Sequence, residues 1–241
     1  MSKDHTPPSP RRRLPLIPGM LAAAVLAGNA AAQTPALKTL GDAEPDDYDR
    51  SRWSQTITDC DRQASHPSDP EAVVPGVTSA QMDKDSAIAV CQEAVAGAPD
   101  HPRLNYQLGR ALTYAGRFDE AHPYLKKAAW AGYPQALFVL GYVEVTGVDG
   151  YEGDPCLGGY LIRRSALAGR FAGLVGLPHY ALLGEFKGCG AAPKRDAAEL
   201  LEFLLAAEER ASDFYRRTLV AQLKDRVCSE LAAEPLAACG G

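Results

Sequence analysis

The chain has no Cys-x-x-Cys pair, and the closest two of its six cysteines stand eleven positions apart. A thiolate metal site normally needs one close pair to present two ligands from a local turn, so this spacing argues against a bound metal. Ser-x-x-Lys and Gly-x-Ser-x-Gly are also missing. The first absence removes the serine acyl-enzyme pattern, in which a lysine one helical turn away takes the nucleophile's proton. The second removes the strand-turn-helix nucleophile elbow. The five histidines are scattered, none with a second histidine at i+3 or i+4, which leaves a zinc hydrolase without its ligand pair. Residues 188–193 (Gly-Cys-Gly-Ala-Ala-Pro) carry only the first two glycines of a dinucleotide loop. No catalytic residue, metal or cofactor is assigned.

Positive charge is also short, with 25 Lys and Arg against 30 Asp and Glu. Four of the bases, Lys3, Arg11, Arg12 and Arg13, lie in the first 32 residues with a single acid, Asp4. The remainder holds 21 basic and 29 acidic residues, a net charge of −8. Such a balance repels phosphate backbones, and no nucleic-acid partner is predicted. Long apolar runs are lacking too: the stretch from Leu14 to Ala27 is broken by Pro15, Pro18 and Gly19, a poor 20-residue span. The arginine run, this stretch and the small residues Ala30, Ala31 and Ala32 read together as a secretory signal removed after Ala32. The expected location is periplasmic or secreted, without stable membrane insertion after cleavage.

All six cysteines, Cys60, Cys91, Cys156, Cys189, Cys228 and Cys239, follow that point, and an even count behind a signal suggests disulfides. Fifteen pairings are open. Sequence neighbours, 60–91, 156–189 and 228–239, are favoured because a short solenoid brings only adjacent units together.

What the chain does contain is an imperfect repeat. Tyr-Gln-Leu-Gly at 106–109 returns as Phe-Val-Leu-Gly at 138–141, and the segment 124–132 returns as 161–169. The intervals, 32 residues from Leu108 to Leu140 and 37 from Gly132 to Gly169, suit stacked helix pairs that share a core. Residues 33–59 read as a flexible acidic leader, and 60–241 as the repeat domain with disulfide-tied ends. Within it, a helix is expected from Asp85, with Ala87, Val90, Cys91, Ala94 and Val95 on one side. Then come a first unit over 103–132, with Gly116 ending its first helix and Asp119 capping its second, and a second unit over 134–169 with a glycine-rich loop at 148–159 carrying Cys156. A third unit follows from Phe171, with Gly184 closing its first helix and 196–210 forming its second. The last helix, 214–231, caps the exposed end.

Leu108, Gly109, Gly116, Ala121, Ala128, Ala129 and Gly132, with Leu140, Gly141, Gly147, Arg164, Ala166 and Gly169, resemble the Sel1-like repeats, a variant of the tetratricopeptide repeats. The likeness covers about 103–210 and blurs in the third unit, where Pro178 takes the glycine position. It implies an all-α superhelix of about three helix pairs that binds a protein or peptide on its concave face; a monomer is expected. Carried over position by position, that face holds Tyr106 and Arg110, Phe138 and Tyr142, and Val175 and His179, with Arg110, Tyr142 and His179 in one column. The resemblance thus implies a non-catalytic exported scaffold for protein–protein interaction in the bacterial cell envelope. The competing reading is an envelope hydrolase or small-ligand-binding protein of the β-lactam-binding type, with a polar site assembled in the fold, for instance from His179, Glu185 and Asp154.

Overall fold

A computed structural model describes residues 44–148, 150–189, 196–231 and 239. The signal assignment, 1–32, lies outside the described residues. Among them nine α-helices follow one another with no strand: α1 Asp59–Ala64, α2 Lys84–Gly97, α3 Pro102–Tyr114, α4 Phe118–Trp130, α5 Pro134–Thr146, α6 Pro155–Leu167, α7 Phe171–Leu183, α8 Ala197–Glu209 and α9 Phe214–Glu230. Each packs mainly on its neighbours in sequence, so the chain is a tetratricopeptide-like helical solenoid.

The starts and stops follow local chemistry. Asp83, Asp154, Asp196 and Asp213 cap α2, α6, α8 and α9 by accepting from backbone N–H groups of the first turn. Thr58 and Asp61 close a reciprocal capping box on α1. Gly116, just past α3, and Gly184, the C-cap of α7, take left-handed φ values of 74° and 81° at the expected helix ends.

Two expectations need correction. Asp119 does not cap α4: Arg117 holds the N-cap position without a side-chain cap, and Asp119 lies in the first turn. The glycine-rich loop is also shorter than expected. Asp154 followed by Pro155 starts α6 early, because a capping aspartate and a proline at the first position favour helix, so Cys156, Gly158 and Gly159 are helical. Those glycines serve close packing. A Cβ on Gly158 would stand 2.7 Å from the Gly141 carbonyl oxygen, and one on Gly141 would stand 2.9 Å from that of Gly158.

The core divides at α6. Leu157 and Leu161 belong to a first cluster with Leu104, Leu108, Leu125 and Leu140. Ile162 and Ala166, further along the same helix, belong to a second with Leu174, Leu177, Leu200 and Leu204. Val220, Leu223 and Val227 of α9 close that second cluster.

Disulfides join Cys60 to Cys91, Cys156 to Cys189 and Cys228 to Cys239, with Cα separations of 4.5, 5.4 and 5.7 Å. These are the three favoured pairings. The segment read as a leader is extended around a 3-10 turn at Arg50–Arg52. The Asp46 N–H donates to the Trp130 carbonyl at 2.8 Å, and Arg164 donates to the carbonyls of Pro45 and Asp46 and to the Asp47 carboxylate.

Candidate functional site

Repetition turns one side of each unit's first helix toward a common space. Tyr106 and Arg110 come from α3, Phe138 and Tyr142 from α5, and Val175 and His179 from α7. All six positions singled out in the sequence line one cavity of about 620 Å³. Val139, Gly176 and Tyr180 add to its wall, and Leu219 and Leu223 of α9 enter it from the end of the solenoid. The six differ in exposure. Tyr106 is completely buried, Arg110 nearly so, and Tyr142 is 45% exposed at the rim.

Arg110 is committed to the fold. It donates to the carbonyls of Ala64, Ser65 and Val77, at 2.9, 2.9 and 2.6 Å, and stacks on the Tyr114 ring at 5.1 Å. It thereby pins the proline-rich loop 65–83 to α3. These bonds leave only its Nε, which is buried without a partner.

Arg170, which the sequence reading passed over, is the other cation of the cavity. It stands at the N-cap of α7 without capping it, and it is 5% exposed. Its Nε donates to Gln135 Oε1, and its guanidinium lies 4.9 Å from the centre of the Phe138 ring. Burial lowers its pKa from the ordinary arginine value. A signal was available: Arg170 follows Gly169 as Tyr133 follows Gly132, at the same 37-residue interval, and both side chains turn inward from helix starts.

Behind this wall lies a buried polar cluster. Asp69 accepts from the Tyr133 hydroxyl at 2.8 Å and from the Glu71 N–H at 3.0 Å. Burial raises its pKa to about 6. The Tyr133 ring lies between those of Tyr48 and Tyr106, at 5.2 and 5.7 Å. The Tyr106 hydroxyl has no partner with hydrogen-bond geometry, although the Gln135 amide is its neighbour. Burial, with the Asp69 charge nearby, raises its pKa well above the usual phenol range. His66, also on the cavity wall, is pushed down to about 4 by burial and by the charges of Arg110 and Arg170.

The assembled polar site of the competing reading does not come together around His179. Asp154 accepts from the Cys156 and Leu157 N–H groups as the α6 cap, and no carboxylate is among the described residues lining the cavity. Instead the cavity combines a largely apolar wall with two arginines and two histidines. Among the described residues no group of three or more His, Cys, Asp and Glu side chains is arranged to hold a metal, and no helix is long and apolar enough to cross a membrane.

The fold defines a helical-repeat solenoid with an inner-face cavity. A tetratricopeptide repeat family model matches residues 80–140, from just before α2 into α5, which supports a tetratricopeptide-like repeat family. No curated protein and no solved structure gives a significant match. Tetratricopeptide repeats generally serve as protein–protein interaction scaffolds, and the family is typically non-catalytic.

Proposed function

We propose that this protein is an exported, Sel1-like repeat scaffold that holds a protein partner of the bacterial cell envelope on its inner face, without turnover. The observation that carries the reading is the convergence of Tyr106, Arg110, Phe138, Tyr142, Val175 and His179, one pair from each repeat, on a single cavity. Aromatic and arginine side chains at a concave surface suit recognition. Export is supported by the three disulfides, which persist in oxidising compartments, together with the signal-like first 32 residues.

Rim positions give the cleaner test, because Arg110 also holds the loop in place. Residues 33–241, with disulfides formed, serve as bait in a native envelope extract beside a Tyr142→Ala/His179→Ala variant of matching circular dichroism and melting temperature. A protein retained by the native chain and reduced at least tenfold on the variant supports the reading. Equal retention by both, or none by either, overturns it.

A further inference from the structure

We propose that the inner cavity is a binding site for a single-chain amphiphilic carboxylate, with Arg170 taking the carboxylate and the apolar walls taking the chain. This goes beyond the scaffold reading and does not rest on it. Arg170 lines the cavity with donor groups that have no acceptor. Among the described residues, nothing accepts from the two terminal nitrogens of Arg170, and no carboxylate lies within ion-pair distance of it, although it is 95% buried. The nearby acid, Asp69, is occupied by Tyr133 and Glu71.

Buried cations are ordinarily paired, because an uncompensated charge away from water is costly to hold. Arg170 has only the field of Asp69 to offset its charge, without a direct ion pair, and its free terminal nitrogens on a cavity wall are a ready receptor for an anion. Its planar fork fits a carboxylate through two parallel N–H···O bonds. The Gln135 bond and the Phe138 ring hold its orientation.

The rest of the ligand follows from the wall. Phe138, Val139, Val175, Leu219 and Leu223 offer apolar surface, and no described lining residue is acidic, although the whole chain carries a net charge of −5. A volume of about 620 Å³ lies in the range of sites that bury small molecules. Charge and shape together select an anion with an apolar body.

The test uses the oxidised chain 33–241 and dodecanoate, below its micelle concentration, in isothermal titration calorimetry. Dodecanoate is expected to bind at one per chain, with dodecanol and acetate each at least tenfold weaker. Arg170→Met is expected to fold with an unchanged or higher Tm and to lose at least tenfold in dodecanoate affinity. Val175→Trp, which intrudes into the cavity and leaves Arg170 in place, is expected to weaken dodecanoate binding at least tenfold. Four results would overturn the assignment: no saturable binding to the native chain, dodecanol binding as tightly as dodecanoate, native affinity in Arg170→Met, or displacement of dodecanoate by an apolar C-terminal pentapeptide at tenfold lower concentration. The last would give the cavity to a peptide. The envelope capture above reads out independently, so either proposal can fail alone.

Discussion

Arg103 and Asp61 form an ion pair at 2.8 Å with side chains only 1% and 0% exposed, joining α3 to the short α1. The pair is saturated: Asp61 also accepts from the Thr58 N–H and from Gln107, while Arg103 donates to the carbonyls of Ser54 and Thr56. Burial raises the Asp61 pKa, but these donors outweigh it and hold the carboxyl below its usual range. Breaking such a pair leaves the other charge stranded. Asp61→Ala is therefore expected to cost about 3–5 kcal/mol in urea unfolding, with much of this recovered in Asp61→Leu/Arg103→Met. A single-variant loss below about 1 kcal/mol would show that the pair is not desolvated in solution.

Asp69 predicts a pH dependence of definite sign. Its folded pKa, about 6, lies above the ordinary carboxylate value, so the folded state holds the proton more tightly and stability falls as pH rises from about 4 to about 6. His66 acts oppositely: with a folded pKa of about 4 it loses stability as pH falls below its usual value of 6.5. Asp69→Asn removes the first effect alone. Its stability relative to the native chain should be flat below pH 4 and climb through pH 4–6 by roughly 3 kcal/mol, two pKa units converted to free energy. Denaturant midpoints at four pH values give the curve, and a difference independent of pH would refute it.

Arg110 is a positioning residue for the loop 65–83. Arg110→Ala leaves three carbonyls without their donor and is expected to destabilise by roughly 2–4 kcal/mol. Tyr142→Ala, at the exposed rim, should stay within about 0.5 kcal/mol of native. Thermal melts of the two variants side by side decide the point.

Gly132 anchors the extended segment. It has a φ of 75°, and a Cβ there would collide with the Asp46 carbonyl. Gly132→Ala is expected to cost more than about 1 kcal/mol from the backbone alone and to release the segment from α4. Faster tryptic cleavage at Arg50 and Arg52 would report that release, and unchanged cleavage kinetics would contradict it.

Reduction should be ordered. Cys60 and Cys91 are fully buried, and their loop, 31 residues in sequence separation, is worth about 3.7 kcal/mol in the chain-entropy model, against about 2.8 for the 11-residue separation of Cys228 and Cys239. Alkylation mapping after graded thiol treatment is expected to find 228–239 open first and 60–91 last.

Periodicity made the solenoid legible. Leucines at a fixed interval and glycines past helix ends give the helices, and adjacency of units gives the cysteine pairing, because both are near-neighbour properties. The six repeat positions that line the cavity were given by the family resemblance, carried over position by position. The repeat places Arg170 at an inward helix start, but its lack of an ion-pair partner is a property of space that no spacing carries, and Leu219 and Leu223 enter from a helix outside the repeat. Cys156 was misplaced by reading glycines as a loop, when here they let α5 and α6 approach each other.

The three disulfides divide the molecule mechanically. Each ties a stretch to itself, so under tension from its two ends the oxidised chain cannot pay out what lies inside each bridge. The longest run left without such a clasp is 92–155, which holds α3, α4 and α5. Those helices carry Tyr106, Phe138 and Tyr142, so the run that can lengthen most under load is also the one that walls the cavity, and paying it out would empty the cavity with every bridge still closed.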